Sequence, residues 1–281
     1  MTWMLWAVLS AISTAAERAA NRFILSNRSH YVDYMIAYNL GAMIFVTIAG
    51  SLEGFQIPSD SATLGWLSLS GFLWFFGCVY SFKADQSAEV SLTALISQLK
   101  LLFMFVAGVW LFNEAISAPK FFGVILILIG LIIRLQIKGS FNRGTVFKFL
   151  AVVITSGATL VDKSLSSVVS AGTLAIAGYL LPLVFSIFMG RAHLPSFSQY
   201  LRHERFRPLL IGALSGVAHY SIIKAFTTGP LSAVIPIYYL HIVFVFIIGV
   251  LFLNERKDLP RKALAALLVV IGAIIIRSSA K

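Results

Sequence analysis

Ten long apolar stretches follow one another along the sequence and leave few folds open to it. They cover residues 3–24, 34–52, 64–83, 89–112, 118–136, 146–168, 170–190, 207–225, 230–253 and 262–278. A helix needs about 20 apolar residues to cross a bilayer, and inside lipid only helices and closed barrels satisfy the backbone. Because barrel strands would alternate over about ten residues, stretches of this length predict helices. The sequence therefore predicts an all-α membrane protein with ten transmembrane helices.

The composition supports a membrane protein and excludes several other classes. Hydrophobic residues make up 59% of the 281 residues and charged residues only 12%, whereas soluble domains carry about 25% charged residues. A soluble enzyme, a disordered chain and a disulfide scaffold with its many cysteines are therefore excluded; Cys78 is the single cysteine. The formal charge of +11 does not indicate nucleic acid, because the basic residues lie at segment ends, where they orient membrane proteins. We expect a lipid bilayer as the surroundings and no nucleic-acid partner.

A polar stripe occurs on both the first and the sixth apolar stretch. When Glu17 is aligned with Asp162, polar residues coincide at positions spaced i, i+4, i+7 and i+11, which lie on one face of a helix. The other aligned pairs are Ser10 with Thr155, Thr14 with Thr159, Arg18 with Lys163, and Asn21 with Ser166. Four matches on one face, with a matched basic neighbour, indicate an internal repeat.

A longer match relates residues 80–114 to residues 220–255. With a shift of 141 residues, a lysine, a serine, a glycine, an Asn-Glu pair and a proline coincide. These are Lys83 with Lys224, Ser91 with Ser232, Gly108 with Gly249, Asn113-Glu114 with Asn254-Glu255, and Pro119 with Pro260. After a one-residue gap, Gly130 meets Gly272, and after one more, Arg134 meets Arg277. The sequence thus predicts two five-helix repeats, at residues 1–138 and 144–281. Because five is odd, the second repeat is inverted relative to the first, an arrangement that recurs in secondary transporters.

Taken together, these motifs resemble the EamA-type ten-helix members of the drug/metabolite transporter (DMT) superfamily. The resemblance rests on Lys83-Ala84 and Lys224-Ala225 at the end of each third helix, and on the G-x4-N-E sequences that close the fourth helices. A fifth helix with a central glycine and a terminal arginine also fits, and the similarity covers nearly the whole chain. It implies a ten-helix carrier with a central cavity between the repeats. Members of the family export amino acids and other metabolites, or exchange sugar phosphates and nucleotide sugars.

Ionisable side chains inside the apolar stretches are candidates for a substrate site, because each costs about 2.5–3.5 kcal/mol to insert into a membrane. Lys100 lies about midway along the fourth stretch, and its equivalent in the ninth is His241. The same helix faces and their neighbours add Ser97, Gln98, Tyr238 and Tyr239, and the eighth stretch adds His219. We expect the Lys100 ammonium to hold a carboxylate or a phosphate. The alternatives are that Lys100 snorkels or pairs internally, and that His241 is a packing residue.

Glu17 and Asp162 are candidates for binding a coupling proton. Burial in a medium of low dielectric favours the protonated form of a carboxyl group, which allows proton binding and release near neutral pH. The polar stripe that accompanies them consists of Ser10, Thr14, Thr155 and Thr159. The alternative is that both carboxylates form local ion pairs.

Other residues carry weaker signals. Pro182 and Pro236 are expected to kink their helices and free backbone carbonyls, a feature that often marks binding sites in carriers. Trp74, with the two phenylalanines after it, is expected to pack rather than to form an aromatic substrate box. Glu114 lies in a short turn, which we expect it to cap or order.

The sequence contains no motif of an enzyme or of an ATP-driven pump. It has no Walker loop, no H-E-x-x-H, no paired C-x-x-C and no G-x-S-x-G. We therefore expect no catalytic residue, no cofactor and no metal site. The leading interpretation is a secondary exporter of a small polar or anionic metabolite such as an amino acid, driven by a proton or substrate gradient. The alternatives are uptake or exchange of a phosphorylated or nucleotide-linked metabolite, and a membrane-embedded enzyme.

The loops on the two sides of the predicted bundle differ in charge. The loops after helices one, five, seven and nine hold Arg22, Arg28, Lys138, Arg143, Arg191, Arg202, Arg205, Arg207, Arg256 and Lys257. Because the opposite loops hold almost no Lys or Arg, the positive-inside rule predicts that both termini lie outside the cytoplasm. The family resemblance implies the reverse. We expect a multi-pass protein of a bacterial inner membrane, and a monomer or a homodimer.

Overall fold

The computed structural model shows helices and no strands in the residues that it describes. These are residues 2–24, 31–87, 90–134, 142–191, 194–252 and 259–278. They form twelve helices: α1 (Thr2–Ile24), α2 (Tyr31–Glu53), α3 (Ser61–Ser87), α4 (Val90–Leu111), α5 (Ala118–Arg134), α6 (Arg143–Leu165), α7 (Ala171–Met189), α8 (Leu194–His203), α9 (Arg207–Thr228), α10 (Leu231–Tyr238), α11 (His241–Phe252) and α12 (Leu259–Ser278). Outside these segments lie the predicted repeat partners and loop residues Asn254, Glu255, Arg28, Lys138, Arg256 and Lys257.

Many of these helices are long and apolar enough to cross a membrane. By length and composition, seven candidate spans occur within the described residues: Val32–Glu53, Ser61–Ser81, Arg143–Leu165, Ala171–Met189, Arg207–Thr228, Leu231–Leu251 and Leu259–Ser278. Two shorter apolar helices, Ile96–Leu111 and Ala118–Ile133, fall within α4 and α5. The chain is a multi-pass membrane protein, and the number of ten transmembrane helices stays a prediction.

The structure departs from the ten apolar stretches in two places. The basic segment before α9, where the apolar pattern predicts a loop, contains the ten-residue helix α8. The ninth stretch forms two helices, because α10 ends at Tyr238 and α11 begins at His241. At this break the N–H groups of Leu240 and Ile242 donate to carbonyl oxygens only three residues back, those of Ile237 and Tyr239, which interrupts the α-helical pattern. Pro236 lies inside α10, before the break. Helix α7, in contrast, continues through Pro182.

The helices of the first predicted repeat pack mainly on those of the second. In the repeat, α1 corresponds to α6, α2 to α7, α3 to α9 and α5 to α12. The fourth helix, α4, corresponds to α10 and α11 together. The contact of α1 with α9 has its counterpart in α6 with α3, and that of α2 with α9 in α7 with α3. Likewise α4 lies against α6 as α10 and α11 lie against α1, while α2 meets α7 and α5 meets α12. Each contact recurs when the repeats are exchanged, which is consistent with a two-repeat architecture.

Equivalent helices run in opposite directions through the bundle. Trp3 at the start of α1 lies beside Gly229, the residue that follows α9. Lys163 near the end of α6 donates a hydrogen bond of 2.9 Å to the carbonyl oxygen of the same Gly229. The start of α1 and the end of α6 therefore lie at one end of the bundle, as an inverted repeat requires. The repeat boundaries at residues 138 and 144 stay predictions.

Helices α5 and α12 approach each other at positions that have no room for larger side chains. A Cβ atom added to Gly123 would lie 2.7 Å from the carbonyl oxygen of Gly272, and one added to Gly130 would lie 2.8 Å from that of Ala265. Small residues allow such close helix approach in membranes. In the repeat, Gly130 corresponds to Gly272 and Gly123 to Ala265. Exchanging the two repeats therefore turns the contact of Gly123 with Gly272 into that of Ala265 with Gly130.

Candidate functional site

A cavity of about 170 Å³ lies between the two predicted repeats. Its walls come from α1, α3 and α4 on one side and from α6, α7, α9 and α10 on the other. The apolar and indole part of the lining consists of Trp74, Ala218, Ile222, Phe226 and Ile235. The polar and ionisable part consists of Ser10, Thr14, Glu17, Lys100, Thr159, Asp162, Tyr179, Ser215, His219, Tyr238 and Tyr239.

The polar stripe of the repeat supplies two walls of this cavity. Ser10, Thr14 and Glu17 line it from α1, because their spacing places them on one helix face. Thr159 and Asp162 line it from α6, but Thr155 does not. Thr155 packs against α3 instead, since a Cβ atom added to Gly77 would clash with the Thr155 Cγ2 atom. The stripe is therefore a cavity wall in both repeats, shorter by one residue in the second.

Lys100 brings a positive charge into the cavity from α4. Its Nζ atom lies 5.3 Å from the centroid of the Trp74 ring, within range of a cation–π interaction. Nζ also lies 3.4 Å from the carbonyl oxygen of Thr155, which is a long hydrogen bond. Among the described residues Lys100 has no carboxylate within 4 Å. Its ammonium group is thus oriented by an indole ring and a carbonyl while its charge faces the cavity.

Asp162 is held in the opposite wall by donors from another repeat. Its side chain is 1% exposed. The Ser70 hydroxyl donates to Oδ1 over 2.5 Å, and the Trp74 indole N–H donates to Oδ2 over 2.9 Å. The His219 Nε2 atom lies 3.8 Å from Oδ2, and the His219 ring meets the Trp74 ring edge to face with centroids 5.0 Å apart. Both carboxylate oxygens are therefore occupied within the protein, so that Asp162 acts on Lys100 electrostatically rather than as a direct partner.

Glu17, at the equivalent position of the first repeat, has a different environment. It is half-buried, and its Oε1 atom accepts a hydrogen bond of 2.8 Å from the Tyr38 hydroxyl. That hydroxyl also lies 2.5 Å from the Ser215 hydroxyl of α9. In the described part of the chain, no group of three or more His, Cys, Asp or Glu side chains is arranged to hold a metal ion. The hydrogen-bond partners of the two carboxyl groups are the Tyr38 hydroxyl for Glu17, and the Ser70 hydroxyl and the Trp74 indole N–H for Asp162.

The chain matches one known protein family over nearly its whole length. The match covers residues 1–135 and, separately, residues 142–278. The chain belongs to the EamA-like transporter family. A solved crystal structure with 17% sequence identity superposes on 96% of this chain and 98% of its own, with a TM-score of 0.72, which shows a common fold. No curated protein matches the chain. The predicted resemblance is confirmed, and the EamA-like family makes the chain a membrane transporter.

Four of the seven predicted substrate residues line the cavity of this EamA-like protein. They are Lys100, His219, Tyr238 and Tyr239. The predicted residues Ser97, Gln98 and His241 do not line it. Gln98 is two residues from Lys100 and hence about 200° away around the helix. Ser97 contributes its carbonyl oxygen, which accepts a hydrogen bond of 3.2 Å from the Tyr239 hydroxyl.

The break between α10 and α11 explains the position of His241. In an unbroken helix, Tyr238 and His241 would lie on one face, but α11 starts anew at His241. The His241 side chain is 2% exposed and packs on the rings of Tyr238 and Tyr239, with centroids 4.8 and 5.5 Å apart. Its Nδ1 atom lies 2.9 Å from the Tyr238 carbonyl oxygen. The structure thus places His241 behind the two tyrosines, outside the cavity lining, and its role in substrate binding stays a prediction.

Three hydrogen-bonding residues of the cavity lining were missed or misjudged from the sequence. Trp74, expected to pack, lines the cavity, binds Asp162 and faces Lys100. Tyr179 and Ser215 also line the cavity, and no sequence motif marked them. The 141-residue shift that aligns Lys83 with Lys224 also aligns Trp74 with Ser215, so the repeat relates these two positions without marking either as part of a cavity.

Glu114 caps a helix of the other repeat rather than its own turn. Its carboxylate accepts hydrogen bonds from the backbone N–H groups of Leu231 and Ser232, over 2.5 and 2.9 Å, and from the Ser232 hydroxyl. These are N–H groups of the first turn of α10, which have no partner inside the helix. Lys120 stands 3.7 Å from the same carboxylate. The Asn-Glu motif of the first repeat thus fixes the start of the helix that carries Tyr238.

Proposed function

We propose that this EamA-like transporter is a secondary transporter that exports a small polar or anionic metabolite, such as an amino acid. The observation that carries the proposal is the Lys100 ammonium group, which lines the cavity without a carboxylate within 4 Å among the described residues. A charge held inside a membrane protein without a close partner is costly. A carboxylate or phosphate group of a substrate would offset that cost at Lys100.

The volume of the cavity favours a small substrate. Sites for drug-sized ligands measure about 300–1,000 Å³, whereas this cavity measures about 170 Å³. A nucleotide-linked metabolite exceeds that volume, and an amino acid does not. Around such a substrate, Tyr238, Tyr239 and His219 supply ring faces and hydrogen-bonding groups beside Lys100. The size therefore supports an amino-acid-sized metabolite over a nucleotide sugar.

The position of the cavity supports alternating access as the mechanism. Both predicted repeats, residues 1–138 and 144–281, contribute to its walls, so a rocking motion of one against the other would open it to each side in turn. Glu17 and Asp162 would bind the coupling proton, since each lines the cavity and neither lies in an ion pair with Lys or Arg among the described residues. The repeat supplies both halves of a carrier in one chain, so a monomer suffices and a homodimer is compatible.

The charge of the two ends supports an orientation in the cell inner membrane. Among the described residues, the end opposite to the start of α1 carries a series of basic side chains: Arg143, Lys148, Arg191, Arg202, Arg205, Arg207, Arg261 and Lys262. By the positive-inside rule this end faces the cytoplasm. Both termini would then lie on the non-cytoplasmic side. A reporter fused to Lys281 that is active only in the cytoplasm would contradict this orientation.

Metabolite release from cells tests the proposal. Cells expressing the wild type are compared with cells expressing Lys100→Met and Lys100→Arg at matched membrane levels. The control variant is Lys83→Met, because Lys83 also lies near two aromatic rings, 6.0 Å from Tyr80 and 5.9 Å from Phe147, but outside the cavity. We expect one class of metabolite to accumulate in the medium with the wild type, Lys83→Met and, more weakly, Lys100→Arg, and not with Lys100→Met.

Each other outcome removes a different part of the proposal. Equal release by Lys100→Met and wild type would mean that Lys100 is structural. An unchanged medium in all cultures would contradict export and favour uptake or exchange. Chemical conversion of a metabolite by the purified protein in the absence of any gradient would replace the transporter with a membrane-embedded enzyme.

A further inference from the structure

Three hydroxyl groups join Glu17 to the opposite wall of the cavity. The Tyr38 hydroxyl lies 2.8 Å from Glu17 Oε1 and 2.5 Å from the Ser215 hydroxyl, and the latter lies 2.8 Å from the Tyr179 hydroxyl. All three distances are those of O–H···O hydrogen bonds. Because Tyr38 belongs to α2, Ser215 to α9 and Tyr179 to α7, the chain of hydrogen bonds crosses from the first predicted repeat to the second.

The far end of this hydroxyl chain lies next to the second carboxyl group. The Tyr179 ring meets the His219 ring edge to face, with centroids 5.4 Å apart. His219 Nε2 is 3.8 Å from Asp162 Oδ2, and it is a buried atom without a hydrogen-bond partner among the described residues. A cavity of about 170 Å³ has room for roughly five water molecules at about 30 Å³ each. One water molecule held between Tyr179 and His219 would complete a path from Glu17 to Asp162.

The directions of the hydrogen bonds in this chain can reverse. Each hydroxyl has a single proton to donate and can also accept a hydrogen bond. When Glu17 is ionised, Tyr38 donates to Glu17, Ser215 to Tyr38, and Tyr179 to Ser215. When Glu17 is protonated, it donates to Tyr38 and every bond in the chain turns round. The protonation of Glu17 therefore determines whether the hydroxyl at the cavity wall, Tyr179, points its proton into the chain or out of it.

We propose that Tyr38, Ser215 and Tyr179 form a proton relay between Glu17 and the Asp162–His219 pair. In one passage the pair releases one proton, the bridging water molecule and each of the three hydroxyls accept one proton and give up another, and the Glu17 carboxylate gains one. Oxygen–hydrogen bonds form and break in equal number, and no electrons are exchanged with a second reactant. As a device for coupling, the relay rests on the proposed transport function.

A relay in the wall serves a carrier better than cavity water alone. Glu17 and Asp162 both line the cavity, so water joins them while the cavity is empty of substrate. A bound substrate displaces that water from a space of about 170 Å³. Tyr38, which passes the proton to Glu17, is not part of the cavity lining. The hydroxyl path from Glu17 as far as Tyr179 therefore persists when the substrate is in place, and only the one water molecule between Tyr179 and His219 has to remain.

Other ionisable groups also act on the two carboxyl groups and stay constant in the test below. Across the cavity these are Lys100, Tyr238 and Tyr239. From the helices packed around Glu17 they are Arg18, Tyr34 and Cys78. These groups act through space in every variant. The relay is therefore measured as the part of the coupling between Glu17 and Asp162 that is lost when the Tyr38 hydroxyl is removed.

Infrared titration of the purified full-length protein in nanodiscs tests the relay without any substrate. The C=O stretches of the protonated carboxyl groups are assigned with Glu17→Gln and Asp162→Asn. We expect Glu17→Gln to shift the titration midpoint of Asp162 when the Tyr38 hydroxyl is present. In the Tyr38→Phe background, the same Glu17→Gln change should shift that midpoint much less. Ser215→Ala is expected to act like Tyr38→Phe, and Ser215→Thr, which keeps the hydroxyl, to act like the wild type.

The matched control for this titration is Tyr34→Phe. Tyr34 lies one turn before Tyr38 on α2, and its hydroxyl donates to Asn21 instead of to the chain. We expect the shift of the Asp162 midpoint to persist in this variant. A shift of equal size with and without the Tyr38 hydroxyl would show that the two carboxyl groups are coupled through space only, and the relay would be wrong.

Transport in proteoliposomes separates failure of the relay from failure of the proposed function. The probe is a mixture of radiolabelled amino acids, measured with and without a pH gradient. The relay predicts that Tyr38→Phe lowers gradient-driven accumulation at least about tenfold more than it lowers exchange without a gradient, and that Tyr34→Phe does not. Equal losses in both assays contradict the relay. If the wild type moves none of the amino acids, the proposed substrate class is wrong, and the infrared result alone decides on the relay.

Discussion

The interface of α5 with α12 and the central cavity follow the internal repeat to different degrees. At the interface each repeat supplies the same contact, since Gly123 lies against Gly272 in the same way as Ala265 lies against Gly130. In the cavity, by contrast, aligned positions carry different chemistry. The comparison separates a frame in which the repeats are interchangeable from a site in which they are not.

The two cavity carboxyl groups show this difference most directly. Asp162 is 1% exposed and receives hydrogen bonds from Ser70 and Trp74, whereas half-buried Glu17 receives one from Tyr38. In the proposed mechanism an inverted repeat needs equivalent backbones so that one repeat can rock against the other, but it does not need equivalent side chains. We infer that the frame provides the two openings of the cavity, while the unequal carboxyl groups give each repeat its own part in coupling.

The largest expected effect concerns Asp162→Asn compared with Glu17→Gln. An asparagine retains the shape of Asp162, because its oxygen accepts from Trp74 and its amide donates to Ser70. The variant should fold, yet it loses both the proton site and the charge that acts on Lys100. We expect gradient-driven accumulation to fall by about 100-fold or more. Glu17→Gln removes the other end of the relay but leaves Asp162 and its charge near Lys100, so accumulation should fall less, by about tenfold.

Accumulation of the radiolabelled amino acid mixture in proteoliposomes measures both variants. The melting temperature in detergent serves as the control for folding. Equal losses in Asp162→Asn and Glu17→Gln would break the comparison, because the cavity would then be as symmetric in function as the frame is in packing.

The second prediction concerns the frame, where equivalent changes should have equal effects. Gly130→Ala places a methyl group 2.8 Å from the Ala265 carbonyl oxygen, and Gly272→Ala places one 2.5 Å from that of Gly123. Each overpacked contact should lower stability by about 1–3 kcal/mol, read as a fall in melting temperature. The control is Gly65→Ala in α3, since nothing lies within 4 Å of a Cβ atom there. That variant should be stabilised by up to about 1 kcal/mol.

Much of the frame is predictable from the sequence because apolar length and the repeat act over many residues. The stretches around α2, α3, α6, α7 and α9 need no detail of packing to be recognised as helices. Helix α8 was missed because its ten residues are mostly polar and lack the length of a span. The break after Tyr238 was predicted only as a kink, since Pro236 shows where a helix is weak but not where the next one starts.

The site was less predictable, because cavity lining depends on which face of a helix meets its neighbours. Lys100 was identified by the cost of an ammonium group in the middle of an apolar stretch. Gln98, on the same stretch, lies on another face, and no rule of composition separates the two. Tyr38 and Ser215 were missed because single hydroxyl residues are common in membrane helices. Their role depends on contacts between α2 and α9, which the sequence does not contain.

The third prediction tests a polar contact that joins the repeats. Glu114 accepts three hydrogen bonds at the start of α10, two from backbone N–H groups and one from the Ser232 hydroxyl. Glu114→Gln turns one acceptor oxygen into an N–H donor that faces other donors, and should cost about 1–2 kcal/mol in stability. The control is Glu53→Gln, because Glu53 pairs with Lys224 in a more exposed position, where such pairs contribute about 0–1 kcal/mol. A larger fall in melting temperature for Glu53→Gln would contradict the assignment of Glu114 as the cap of α10.

The smallest expected effect concerns the basic residues that follow the two carboxyl groups, Arg18 and Lys163. Lys163 donates hydrogen bonds of 2.7 and 2.9 Å to the carbonyl oxygens of Phe226 and Gly229 at the end of α9, where a positive charge is favoured. Arg18 is exposed. Lys163→Met should therefore lower stability by about 1 kcal/mol, and Arg18→Met should change it by less than about 0.5 kcal/mol. Thermal unfolding of the two variants in parallel measures the difference. Equal changes would mean that the asymmetry is confined to the cavity lining and does not extend to the helix ends beside it.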